Sequence, residues 1–365
     1  MTVTGGTLAL EGWGLVRQML DDLTKGVVAD AETELELLEG IRVLGRATAL
    51  CSELSLDVDV ETPWFFSMNT EARLIGGPNP DGEYYLAMID GRHRYRVSGR
   101  RGTTAYLGFQ VLAGIGLTPR RMGAYVSDHE LKLGDDGTFS FVFAAEEPTA
   151  DNLNGDPWVA IPADASAIVV REYIADRATE IGAELHIEAL DPPARPVPPT
   201  DATLGEQLTS MAWTIAKLTT LHKSIKPELL ETPNVLVTAA AADLGAADTT
   251  PDNLYMIGTF RLAEHEVLEI EIEPPETRYW SVTLENIWHE CIDPRRLHSS
   301  MTNALAVANE DGKVRIVVGP EDPGAYNWLD TGGRHRGFVI VRWIDNPDAP
   351  RVTTRVCTLT EVGNR

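Results

Sequence analysis

Glu61-Thr62-Pro63, met again as Glu231-Thr232-Pro233, begins a series of short matches that runs through the chain in order. Pro80-Asp81 with Tyr84 returns as Pro251-Asp252 with Tyr255. Pro119-Arg120-Arg121 returns as Pro294-Arg295-Arg296, Asp136-Gly137 as Asp311-Gly312, Trp158 as Trp328 and Arg171 as Arg342. All offsets lie between 170 and 175 residues, so one unit is copied with small changes in loop length. A tripeptide match alone carries little weight, but an ordered set at one spacing indicates an internal duplication. Residues kept by both copies are then expected to be scaffold, and residues held by one copy become candidates for function.

Around these anchors each copy starts with helical periodicity and then turns to strands. Gly12–Thr24 places Leu15, Val16, Met19, Leu20 and Leu23 at helical spacing. Asp30–Leu54 continues with Leu38, Ile41 and Leu44, with Asp30 as the expected N-cap. Leu204–Lys223 opens the second copy in the same way. Strands are predicted at Tyr84–Ile89, Tyr95–Ser98, Ala105–Leu112, Thr138–Phe143, Ala167–Tyr173 and Glu184–Ile187. Their counterparts are Leu254–Arg261, Glu266–Ile272, Tyr279–Glu285, Lys313–Val318, Gly337–Ile344 and Val352–Leu359. Asp136-Gly137 and Asp311-Gly312 read as hairpin-type turns, because glycine tolerates the positive φ they need. No helix separates successive strands, which indicates antiparallel sheets closed into a sandwich or barrel.

The expected fold is therefore mainly β with helical segments (α+β). It comprises two tandem antiparallel β-sandwich or jelly-roll-like domains from an internal duplication, each preceded by helices. The expected boundaries are residues 1–190 and 201–365, joined by a stiff linker at 191–200 whose run of prolines cannot continue a helix or a central strand.

Composition bounds the function. Fifty-five acidic against 31 basic residues give a net charge of -24, which argues against nucleic acid and against an anionic membrane surface as partners. Three scattered cysteines make no disulfide framework. Met1–Leu10 has neither the basic nor the apolar region of a secretory signal, so a cytoplasmic location is expected. There is no Gly-x-Gly-x-x-Gly after a strand, no Walker loop and no Gly-x-Ser-x-Gly elbow, so no cofactor is evident and nucleotide chemistry lacks support.

Asn79-Pro80-Asp81 with Tyr84-Tyr85, Arg278-Tyr279-Trp280-Ser281 and Asn327-Trp328-Leu329 resemble motifs of the bacterial domain-of-unknown-function 1254/1214 family. The resemblance covers most of the chain, and the second half is similar to the 1214 domain. It implies paired β domains and no particular reaction. The chain departs from the family pattern at Trp288–His298, where ionisable residues replace a more neutral loop.

That departure coincides with the largest difference between the copies. Before its Pro-Arg-Arg the first copy reads Ala113-Gly114-Ile115-Gly116-Leu117-Thr118. The second reads Trp288-His289-Glu290-Cys291-Ile292-Asp293, with His298 beyond. His289 or His298 is a candidate acid/base group, with Glu290 and Asp293 as orienting carboxylates. Cys291 is a candidate nucleophile if a neighbouring cation lowers its pKa. His289 and His298 are also the candidates for holding a divalent metal, although their spacing matches no zinc signature. The alternative is a polar loop whose groups bind one another. Gly332-Gly333-Arg334-His335-Arg336-Gly337 is a second, basic loop. With Arg295, its Arg334, His335 and Arg336 could anchor an anionic substrate, or pair with surplus acids. Arg171 and Arg342, in apolar strands of both copies, read as structural, and Arg92-His93-Arg94 as a solvated turn.

The preferred expectation is an enzyme using His/carboxylate chemistry, of hydrolase or lyase type, on a small anionic organic molecule in the second β domain. The alternative is a non-catalytic small-molecule binding protein. Association into homo-oligomers is left open.

Overall fold

A computed structural model of the chain describes residues 7–114, 120–191, 198–229, 231–239, 250–324 and 327–362. Most of the expected linker (192–197) and the first-copy loop at 115–119 lie outside the described residues. The helices are α1 (Thr7–Asp30), α2 (Glu34–Leu56), the single turn α3 (Ala150–Leu153), α4 (Asp201–Thr219) and the single turn α5 (Leu359–Val362).

The first half contributes β1 (Phe66–Ser67), β2 (Gly82–Met88), β3 (Tyr95–Arg100), β4 (Tyr106–Ala113) and β5 (Arg121–Ser127). It continues with β6 (Thr138–Ala144), β7 (Trp158–Ala160), β8 (Ala165–Tyr173) and β9 (Glu184–Ala189). The second half contributes β10 (Val237–Ala239), β11 (Asn253–Arg261), β12 (Glu266–Glu273), β13 (Trp280–Glu285) and β14 (Ser300–Thr302). It ends with β15 (Val314–Gly319), β16 (Trp328–Asp330), β17 (Arg336–Ile344) and β18 (Arg351–Thr358).

The duplication is visible in the topology. The first half forms sheets β1-β2-β8-β4-β5 and β7-β6-β3-β9, and a shift of nine strands turns these into β10-β11-β17-β13-β14 and β16-β15-β12-β18. Pairing is antiparallel except at the short β6–β7 and β15–β16 contacts. In each half one face of the five-stranded sheet packs on the four-stranded sheet. Phe109, Val111, Ile168 and Val170 meet Val97, Phe141 and Ile187 in the first sandwich. Val282, Leu284, Val339 and Val341 meet Ile270, Ile316 and Val318 in the second. Trp158 and Trp328 are rim residues, their indole N–H groups donating to Ala144 O (3.1 Å) and Gly319 O (3.0 Å).

All twelve predicted strands are present within about two residues of their expected ends. The other six are β1, β7, β10, β14 and β16, which have two or three residues and cannot show a period, and β5, whose seven residues show no clean alternation in burial. The two Asp-Gly turns have glycine φ of 79° and 82°, as expected, but each folds back before a single strand and does not join two paired ones.

Both halves are preceded by helices, and the three long ones pack in one layer through Val16, Leu44, Leu208, Met211 and Ile215. Gly12 lets α1 approach α4 closely: a Cβ there would lie 2.9 Å from Gly205 O. The start of α2 differs from expectation. Thr33, not Asp30, is the N-cap, because Glu36 completes a capping box by accepting from Thr33 N–H while Thr33 Oγ1 accepts from Glu36 N–H. Asp30 ends α1 and pairs with Lys223 (2.5 Å) and His222 (3.3 Å).

The halves meet through the opposite faces of their five-stranded sheets. Tyr173 stacks between Tyr106 and Tyr279, with ring centroids 5.0 and 5.1 Å apart. Across the junction Arg278 forks onto Asp128 (2.8 and 2.9 Å), which also takes Arg101. Burial pushes the Asp128 carboxyl up, but these two arginines outweigh it and hold it below its ordinary value.

Candidate functional site

Strand register decides what lies beyond the stacked tyrosines. In the first half Tyr84 is opposite Arg171 and Leu86 opposite Val169. In the second half Tyr255 is opposite Arg342 and Ile257 opposite Ile340. Directly opposed residues of an antiparallel pair share a sheet face. These four pairs therefore project away from the sandwich cores and towards the other half. They line a cavity of about 280 Å³ between the halves, which Leu50 of α2 and Lys217 and Leu218 of α4 help to wall. Arg171 and Arg342, read from sequence as structural, are both lining residues.

The two guanidinium groups are held similarly. Arg171 donates to the Gln110 side-chain oxygen, and Arg342 donates to Thr283 Oγ1 (3.1 Å) at the corresponding place on β13. Arg342 is 2% exposed and also donates to the carbonyls of Gly77 (3.3 Å) and Pro78 (3.4 Å). Burial opposes its charge, but Tyr84 and Glu285 favour it, and its pKa stands above the ordinary value. One step further along the sheets the halves part company. Leu112 occupies the first-half position and Glu285 the second, and both line the cavity.

Glu285 begins the turn that makes the site. The chain reverses between Glu285 and Cys291, closed by Asn286 N–H to Glu290 O (2.9 Å) and His289 N–H to Asn286 O (3.1 Å). His289 takes a left-handed backbone, φ 56°, to complete the reversal. A segment of the first half clamps this turn from outside. Gly77 N–H donates to His289 O (2.9 Å) and Cys291 N–H to Leu74 O (3.0 Å). Gly77 itself has φ +70°, and a Cβ there would sit 3.9 Å from the Glu285 carboxylate and from His289 Nδ1.

Successive side chains of the turn go to different places. Trp288 packs under α1 and α2 against Val27, Val43 and Leu50, with its indole N–H on Glu36 O (2.9 Å). Glu290 turns outward to Arg42 (2.8 Å) and Arg46 of α2. His289 enters the cavity wall. Its ring stacks on Phe338 (centroids 4.1 Å apart) and its Nδ1 meets Glu285 Oε2 at 2.6 Å. Its Nε2 is buried and has no hydrogen-bond partner among the described residues. This is a carboxylate-oriented imidazole with one nitrogen left for another molecule.

The structure separates His289 from the other residues singled out by sequence. Glu290 is occupied by two arginines. Cys291 donates its thiol to Pro78 O (3.3 Å), and burial, with Glu285 nearby, pushes its pKa well above the usual thiol value, against the thiolate a nucleophile needs. Asp293 pairs with Arg295 (3.1 Å) at the surface. His298 and His335 are exposed and line no part of the cavity. Arg334 grips Glu39 (2.5 Å), and Arg336 grips Glu36 and Glu32 (each 2.6 Å), so the basic loop binds the acidic first turns of α2. Arg92 pairs with Asp90, and Arg94 with Asp191. Among the described residues, no three or more His, Cys, Asp or Glu side chains are grouped to hold a metal ion.

The molecule is thus a tandem β-sandwich protein with a charged cavity at the junction of its halves. Residues 260–348 match the model of the family described as protein of unknown function (DUF1214). The crystal structure of a putative uncharacterized protein from Burkholderia cenocepacia is similar at 30% identity and TM-score 0.89, over 98% of this chain and 99% of that one. The chain belongs to the DUF1254/1214 family. The VPA0106 protein from Vibrio parahaemolyticus shares the fold at 13% identity and TM-score 0.50, over 88% of this chain and 100% of that one. No curated protein matches the sequence. None of the helices among the described residues is long and apolar enough to cross a membrane.

Proposed function

We propose that the cavity between the halves binds a small organic anion and that His289 moves a proton on it, in a reaction of hydrolase or lyase type. One observation carries this reading: in a chain of net charge -24, the cavity is lined by Arg120, Arg171, Lys217 and Arg342 against Glu285 alone, with His289 Nε2 unpartnered beside them. Apolar walls from Leu50, Leu86, Val169, Leu218, Ile257 and Ile340 suit a hydrocarbon body. Arg342 and Arg171 bind the anionic group. His289 Nε2 takes a proton from water or from the bound molecule, and Glu285 at Nδ1 stabilises the imidazolium that forms.

Straight-chain monocarboxylates from butyrate to octanoate, with their esters and 3-hydroxy derivatives, provide the test by calorimetry and turnover assay. The expected result is binding that weakens in Arg342→Lys, with turnover that falls about 10²- to 10⁴-fold in His289→Ala while affinity stays within a few-fold. Binding without turnover of any member makes the protein a binder. Absence of binding across the panel refutes the reading.

A further inference from the structure

We infer that the ligand is a dianion: two anionic groups joined by a short apolar body, one held between Arg171 and Arg342 and the other by Arg120 and Lys217 at the opening. The inference rests on the reading that the cavity takes an organic anion, and it names the class of that anion.

The cations fall into two sets. Arg171 and Arg342 project from the sheets beside the Tyr84 and Tyr255 rings, and Arg342 is fully enclosed. Arg120, directly before β5, and Lys217, in the last turn of α4, are exposed and also line the cavity, so they stand where it meets solvent. By strand register Leu86, Val169 and Leu112 lie between Arg171 and Arg120 on the first-half wall, with Glu285 of the second half at the level of Leu112. The first-half wall is thus polar at both ends and apolar between.

The second set is conspicuous for its lack of partners. Acidic residues outnumber basic ones by 55 to 31, and most exposed cations have found one. Arg121, the next residue, pairs with Asp164 at 2.7 Å, and Lys223, six residues beyond Lys217, pairs with Asp30 at 2.5 Å. Among the described residues neither Arg120 nor Lys217 has a carboxylate partner. Four cations against one carboxylate leave a formal excess of three positive charges in the lining. A monoanion would leave two of them, and a dianion one.

The experiment compares succinate, glutarate, adipate and suberate with monocarboxylates of equal length, by calorimetry at low salt. It uses the full chain and the Arg120→Ala, Lys217→Ala and double variants. Both side chains are exposed, and circular dichroism checks that the variants stay folded. The expected result is about tenfold tighter binding for the best dicarboxylate than for its matched monocarboxylate, an advantage that shrinks with salt. The double variant should lose that advantage, its dicarboxylate affinity falling to that of the matched monocarboxylate. Equal affinity for both series, or an advantage that survives in the double variant, overturns the dianion and leaves the anion reading standing. Failure of both series to bind overturns the anion reading itself, and the dianion with it.

Discussion

The two halves agree in the tyrosines, aliphatics and arginines that line the cavity and disagree at the carboxylate and imidazole beside them. Tyr84, Leu86, Val169 and Arg171 have Tyr255, Ile257, Ile340 and Arg342 as exact counterparts in register. Leu112 and Ala167 are answered by Glu285 and Phe338, which position and stack on His289. Repetition therefore does not separate core residues from cavity-lining ones in this fold. Because the copies face each other across the cavity, a residue repeated in both lines it twice.

Five substitutions test how unequal the halves are. Trp288 is the large second-half side chain buried in the helical layer, where the first half places the smaller Ile75, so Trp288→Ala should have the largest effect, about 4 kcal/mol of stability in urea titration. A cost near 1 kcal/mol would mean that the layer does not depend on that anchor. Arg342→Ala leaves buried Glu285 without its cation and should cost about 3 kcal/mol, against about 1 kcal/mol for Arg171→Ala, whose half carries Leu112 at the Glu285 position. Equal losses would break the comparison.

The junction comes next. Asp128→Asn should cost about 2 kcal/mol at neutral pH. Because the folded-state pKa of Asp128 lies below its ordinary value, its contribution is complete above pH ~4 and is lost as pH falls through the folded value. The gap between wild type and variant should therefore narrow below pH ~4 in acid titrations followed by fluorescence. A gap independent of pH would show that Asp128 acts by packing. The smallest effect is expected at the α2 cap, which has no counterpart on α4 built from Thr and Glu: Thr33→Ala should lower stability by about 1 kcal/mol.

Much of the fold was legible because long strands announce themselves by apolar runs and glycine turns, and because each was written twice. The position of His289 was legible too, as a titratable group in one copy against glycine and aliphatics in the other. Its companions were not. Glu290, Asp293, Arg334 and Arg336 share its polarity, and only the turn at 285–291 and the placement of α2 decide that they point outward to other partners. Glu285 was hidden at the end of a predicted strand. Arg171 and Arg342 carried a signal, a charge in an apolar strand, but sequence cannot tell which sheet face looks into a core and which into a cavity. Asp30 reads as a cap from sequence because three acidic or hydroxyl residues crowd one helix boundary, and the Thr33–Glu36 spacing is the better guide.

The correspondence of Leu112 in one half to Glu285 in the other has a consequence for symmetry. Two separate, identical subunits meeting face to face would present every residue twice, so a carboxylate on one wall would be met by a carboxylate on the other. Joining the two copies in one polypeptide removes that constraint. One wall keeps a hydrocarbon side chain while the other carries an acid and its imidazole, so the two walls of one cavity differ chemically although they share one topology.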